Sequence, residues 1–141
     1  RLRGWRRGQH AVDLDLGAGA RLPAACTAMG KVLLAYLPEP GRGRAISDLK
    51  LSRRGPNSIT SKRALRAELE QVREKGVALG DEELGPGVRT IAAPVIGPDG
   101  EAIAAVGIPV PADAYSLKEL REALGPPVIA AAKRISAELR V

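Results

Sequence analysis

The chain has 141 residues, enough for one domain with a core of its own. Lys and Arg number 22 against 16 Asp and Glu, which gives a net charge of +6, and aromatic residues make up only 2%. So few aromatics exclude a base-stacking platform for single-stranded nucleic acid. With one cysteine and one histidine, the chain also has no internal disulfide and no four-ligand zinc site.

The N-terminal part of the sequence predicts a strand followed by two helices. Apolar residues alternate with polar or small ones over 10–16, which is typical of a half-buried strand. Thr27 is a good N-cap for a helix that continues to Leu37, where Pro38 ends it, and a short helix is expected over 42–51. No apolar run approaches the roughly 18 residues of a membrane span. We therefore expect a cytoplasmic domain with no membrane partner.

The second half of the sequence predicts a helix, a short strand and a hairpin. Ser61 caps an amphipathic helix that reaches Lys75, and Gly76 ends it. A short strand over 77–79 leads to an acidic turn at 81–83. The hairpin joins strands over 88–96 and 101–110 through Pro98-Asp99-Gly100.

Two further helices are expected at the C-terminal end. Ser116 and Glu119 form a capping-box pattern for a helix over 117–124. Gly125-Pro126-Pro127 is expected to separate it from a last helix over 128–139. Strands and helices in this order favour an α+β domain built on a mostly antiparallel sheet.

The start of the first helix is the strongest candidate site. Thr27-Ala28-Met29-Gly30 places small residues after a cap, so the first backbone N–H groups are open to a ligand. These donors and the positive end of the helix dipole suit a carboxylate. The same residues are also consistent with a plain helix cap at Thr27 and a close contact of Gly30 with a strand.

Two other groups offer chemistry. Cys26 lies beside a helix N-terminus, where the pKa of a thiol can fall, although a lone cysteine is more often a small buried hydrophobic residue. His10 is its only histidine partner in the chain and is distant in sequence. The acids at 81–83 are expected to form a solvated face, with Arg89 available to pair with one of them.

Several motifs recur in order along most of the chain. Arg21-Leu22-Pro23 precedes a block over 26–35, and shorter blocks follow at 57–60, 65–69, 75–78, 81–84 and 87–95. Together they resemble the C-terminal effector-binding domain of IclR-type bacterial transcription regulators. The Cys-Thr-Ala-Met-Gly variant looks most like the regulators of aromatic-acid and β-ketoadipate catabolism.

The resemblance implies a GAF-like α+β fold, with a curved, mostly antiparallel sheet flanked by helices. It also implies that residues 1–141 form one effector-binding domain that assembles as a homodimer or tetramer. The effector would be a small organic acid, with no cofactor and no metal. DNA would be bound by a separate N-terminal winged-helix domain that this sequence lacks.

Carried over position by position, the resemblance places an effector carboxylate on the backbone amides of Ala28, Met29 and Gly30. Thr90 stands where relatives often have Cys or Ser, and it would read the other polar groups together with Asp81. Leu22, Met29 and Leu79 would form the walls. The expected effector-binding residues are Leu22, Cys26, Thr27, Ala28, Met29, Gly30, Leu79, Asp81, Thr90 and Gly107.

The pocket departs from the family pattern at three positions. Gly80 stands where many relatives have Asp, and Gly107 and Pro109 replace Ser. We therefore expect a roomier, more apolar pocket that suits a ring-bearing or longer acid. Two other functions stay open, namely an oligomerisation module without a ligand and a Cys26-dependent enzyme.

Overall fold

The computed structural model describes residues 23–139, so the expected strand over 10–16 and the expected pocket residue Leu22 lie outside the described residues. The described part begins with a 3₁₀ turn at Ala24–Cys26. The elements that follow are α1 (Ala28–Ala35), α2 (Gly41–Asp48), α3 (Lys62–Lys75), β1 (Ala78–Asp81), β2 (Val88–Ile96), β3 (Ala102–Pro111), α4 (Leu117–Glu119) and α5 (Gly125–Glu138). This order confirms the predicted α+β class.

Helix α3 has the bounds that its sequence predicts. The Ser61 side chain accepts a hydrogen bond from the Ala64 backbone N at 3.2 Å, and Gly76 ends the helix in the left-handed conformation at φ 76°. Its apolar stripe is buried at Leu65, Leu69 and Val72. Local capping and periodicity are therefore sufficient to define this helix.

The C-terminal helices differ from the prediction. The capping box at Ser116 and Glu119 is confirmed. However, α4 continues through a π-helical segment (Leu120–Leu124) directly into α5, so the prediction that Gly125-Pro126-Pro127 separates two helices is wrong. The two prolines occupy the first turn of α5, a position that tolerates residues without a backbone N–H.

The three described strands form an antiparallel sheet in the order β1-β2-β3. Gly80 pairs with Thr90, which pairs with Pro109, and Ala92 pairs with Gly107. The turn between β2 and β3 is closed by a hydrogen bond from Gly97 N to Glu101 O at 2.8 Å, which confirms the predicted hairpin. Because directly opposite residues point to the same side, Gly80, Thr90, Ala92 and Gly107 share one face of the sheet.

The sheet separates two cores. On the face that carries Ala78 and Ala92, helices α1 and α3 pack around Val32, Leu65 and other buried residues. On the opposite face, α5 packs through Val128 and Ala132 against alternate residues of β2. None of the helices within residues 23–139 is long and apolar enough to cross a membrane.

Candidate functional site

The N-terminus of α1 lies at the edge of the first core and is fixed by Thr27. The Thr27 side chain accepts a hydrogen bond from Gly30 N at 3.0 Å, and the Thr27 carbonyl accepts one from Lys31 N at 3.0 Å. The amide of Gly30 is thus used by the cap. Within residues 23–139, no acceptor is found for the amides of Ala28 and Met29. Two backbone donors therefore stay available at the positive end of the helix dipole.

The Ala28 amide lies close to the sheet at Gly80 and Thr90. A Cβ atom placed on Gly80 would overlap Thr90 Oγ1 and would lie 3.7 Å from the backbone N of Ala28. The Thr90 hydroxyl therefore lies over Gly80, on the same side of the sheet as the Ala28 amide. A hydroxyl beside backbone N–H groups is an arrangement that can hold a carboxylate oxygen.

The Met29 side chain extends from α1 to the far strand of the sheet. A Cβ atom placed on Gly107 would lie 2.9 Å from Met29 Cγ and 3.2 Å from Met29 Sδ, and 3.7 Å from the Cβ of Ala92. The expectation of a roomier pocket is therefore wrong at both glycines. The Thr90 side chain fills the space above Gly80, and the Met29 side chain fills the space above Gly107.

Leu79 and Asp81 do not join this site. They alternate with Gly80 along β1 and so point to the opposite face of the sheet. Leu79 packs there against the α5 core. The Asp81 carboxylate accepts a hydrogen bond from Arg89 Nε at 2.9 Å, so Arg89 does pair with one of the acids. The expected roles of Leu79 as a wall and Asp81 as a polar contact are corrected on this ground.

Sequence reasoning missed a buried ion pair beneath α1. The Lys31 side chain is 1% exposed, and its ammonium donates to Glu83 Oε2 at 2.7 Å and to the Leu79 carbonyl at 2.9 Å. The ammonium also contacts Glu68 at 3.4 Å. Glu83 is 5% exposed, so the expectation of a solvated acidic face is wrong at this residue. Lys31 lies one helical turn from the buried residues Ala28 and Ala35, and this spacing is the sequence signal that was available.

Only one of the two carboxylate oxygens of Glu83 has hydrogen-bond partners among the described residues. Its Oε2 atom also accepts a hydrogen bond from the Asp81 backbone N at 3.0 Å, whereas Oε1 has no partner within residues 23–139. Burial raises the pKa of Glu83 above the ordinary glutamate value, and the Lys31 charge opposes that rise. Lys31 thus compensates the buried charge of Glu83, so replacing Lys31 would leave that charge without a partner.

Cys26 has the properties of a structural cysteine. It is 4% exposed at the end of the 3₁₀ turn. Burial, together with the charge of Glu83, raises the pKa of its thiol, which is the opposite of what an activated nucleophile requires. Within residues 23–139, no cluster of three or more His, Cys, Asp or Glu side chains is placed to hold a metal ion.

Comparison with known proteins assigns the chain to a family. The family described as "Bacterial transcriptional regulator IclR C-terminal" matches residues 7–137. The "Pca regulon regulatory protein" of Pseudomonas putida is 30% identical over 131 residues, which are 93% of this chain and 45% of that protein. The chain spans about half the length of the curated relatives that it matches. These relatives are transcriptional regulators and not enzymes, so the alternative of a Cys26-dependent enzyme is not supported.

Solved structures share the fold. The Thermotoga maritima IclR structure superposes with a TM-score of 0.88 at 28% identity and covers 94% of this chain and 53% of its own. An inducer-binding domain of PobR from Acinetobacter, a double mutant in complex with 3-hydroxybenzoic acid, superposes with a TM-score of 0.77 at 31% identity. It covers 85% of this chain and 69% of its own. The chain therefore belongs to the IclR family of bacterial transcriptional regulators and matches their C-terminal domain.

Proposed function

We propose that this domain senses a small organic acid at the N-terminus of α1. The observation that carries the proposal is the pair of unused amides at Ala28 and Met29, of which the Ala28 amide lies on the same side of Gly80 as the Thr90 hydroxyl. An acid bound there gains two charge-assisted hydrogen bonds and the helix dipole, and it also accepts a bond from Thr90. The inducer-binding domain of PobR supports the proposal, because it has the same fold and was solved with an organic acid.

The proposed signal is a change in assembly. Residues 1–141 would form the sensing domain, and a winged-helix domain elsewhere in the full-length regulator would contact DNA. Effector binding would favour one arrangement of a homodimer or tetramer and so set the spacing of the DNA-binding domains. The alternative is an oligomerisation module without a ligand. The filling of the site by Met29 and Thr90 is the observation that favours this alternative.

The Thr90→Val variant tests the carboxylate site. Valine keeps the branched shape of threonine and removes the hydroxyl, so stability should change little while affinity falls. A hydrogen bond to a charged group contributes about 1.5–3 kcal/mol. We therefore expect the dissociation constant for pyruvate, acetate or succinate to rise about tenfold or more. Isothermal titration calorimetry on both proteins measures the change.

The control is Thr60→Val, because Thr60 is exposed in the segment before α3. This variant should bind the same acids as the unaltered chain. Equal affinity of the Thr90→Val and Thr60→Val variants would contradict the proposed site. Failure of every acid to bind the unaltered chain, with light scattering showing an unchanged assembly, would favour the oligomerisation module.

A further inference from the structure

We propose that the Met29 side chain sets the size of acid that the site accepts, an inference that rests on the proposed sensing function. In the structure, Met29 covers the patch formed by Ala92 and Gly107, which we call the Met29 patch. The proposal is that a short acid binds with Met29 in place. A ring-bearing acid must first displace it.

The pairing of the strands sets the distance between the Met29 patch and the position proposed for the effector carboxylate. Thr90 pairs directly with Pro109 on β3, so Gly107 is its diagonal neighbour on the same face. Diagonal neighbours on adjacent antiparallel strands are about 7–8 Å apart. An acid of two or three carbons held at Ala28 and Thr90 ends before the Met29 patch, whereas the ring of an aromatic acid extends toward it.

The Met29 side chain is flexible enough to be displaced by a larger acid. Methionine is unbranched and has three rotatable bonds, so its thioether can leave the Met29 patch without movement of the backbone. Gly107 is what allows it to rest there, because a Cβ atom at that position would approach Met29 Cγ to 2.9 Å. The side chain and the glycine are thus matched to each other, and the pair determines the depth of the site.

Met29 is the only methionine in the chain, which provides a direct probe. With ¹³C-methyl methionine, the protein gives a single methyl resonance in NMR spectra. Gly107→Ala should shift that resonance, because the added methyl group displaces the thioether. Gly41→Ala is the matched control, since a Cβ atom there meets nothing within 4 Å, and it should leave the resonance unchanged. An unshifted resonance in Gly107→Ala would overturn the contact on which the proposal rests.

Ligand selectivity tests the proposal itself. We expect the unaltered chain to bind pyruvate at least tenfold more tightly than 3-hydroxybenzoate, with the methionine resonance unmoved by pyruvate. Met29→Ala should lower the ratio of the 3-hydroxybenzoate and pyruvate dissociation constants at least tenfold. Met29→Leu keeps most of the bulk and should preserve the ratio, which guards against a folding defect in the alanine variant.

If both acids bind but Met29→Ala changes the ratio of their dissociation constants by less than twofold, the proposed role of Met29 is overturned and the sensing function stays intact. The same holds if the unaltered chain binds both acids equally. If neither acid binds any of the proteins, the sensing function fails, and the inference fails with it.

Discussion

Replacing Lys31 with methionine is expected to destabilise the domain by about 3–5 kcal/mol, because it leaves the Glu83 carboxylate buried without its cation. Methionine has a similar length and no charge, so the loss is electrostatic rather than a cavity effect. The free energy of unfolding in urea measures it. Lys75→Met is the control, because Lys75 is exposed at the end of α3, and its effect should stay below about 1 kcal/mol.

The loss in Lys31→Met should depend on pH. Burial already raises the pKa of Glu83, and removal of the opposing lysine raises it further, above the ordinary value that applies in the unfolded chain. The folded variant therefore gains a proton more readily than the unfolded one, and its deficit shrinks as pH falls from 8 toward 5. Adding Glu83→Gln to Lys31→Met should recover part of the stability at pH 8. A deficit that is equal at both pH values, or no larger than that of Lys75→Met, would contradict this explanation.

Gly30→Ala is expected to destabilise the domain by about 1–3 kcal/mol, although alanine is ordinarily the better helix residue by about 1 kcal/mol. A Cβ atom at Gly30 would overlap the Ala24 carbonyl oxygen and lie 2.5 Å from Ala24 Cα and 2.7 Å from Thr27 Oγ1. Two of these atoms are backbone, so neither the 3₁₀ turn nor α1 can yield cheaply. Urea denaturation followed by circular dichroism measures the change.

The matched variant for that measurement is Gly41→Ala in the first turn of α2, where the added methyl group meets nothing within 4 Å. It should leave stability unchanged or raise it by up to about 1 kcal/mol. Both substitutions add one methyl group to a helix of eight residues. Changes of opposite sign in the free energy of unfolding would therefore be due to the close contact at Gly30. Equal stability of the two variants would show that the 3₁₀ turn does not pack tightly on α1.

Elements with local signals were predictable from the sequence. Helix α3 has its cap at Ser61, its left-handed end at Gly76 and a regular apolar stripe, and all three are interactions among neighbours in the chain. The hairpin of β2 and β3 likewise follows from a Gly-Pro-Asp-Gly turn between two β-rich segments. The Gly125-Pro126-Pro127 segment misled the prediction because proline disrupts a helix interior but is compatible with a first turn.

The site was predictable only in part. The motif at Thr27–Lys31 located the helix N-terminus, but the acidic residues that contact Lys31 lie 37 and 52 residues away in the chain, and no local pattern identifies them. The pairing of Lys31 with Glu83 is such a contact. By contrast, the placement of Leu79 and Asp81 on the other face was within reach, because strand alternation separates both of them from Gly80.

The lost side chains at Gly80 and Gly107 illustrate a different limit. A glycine in place of Asp or Ser indicates a larger pocket only if no neighbour enters the vacated space. Thr90 and Met29 enter it here, and both belong to other elements of the fold. Because protein interiors are close-packed, the volume of a pocket depends on side chains from distant elements of the fold.

The most direct test of the account is an NMR titration of the ¹⁵N-labelled chain with pyruvate. We expect saturable chemical-shift changes that are largest at the amides of Ala28, Met29 and Thr90. In the Thr90→Val variant, these changes should require a higher pyruvate concentration. Shifts that concentrate elsewhere, such as the arginine-lined cleft between α2 and α3 at Arg42, Arg66 and Arg73, would contradict it. So would the absence of any saturable shift at Ala28 and Met29 with pyruvate, acetate and succinate.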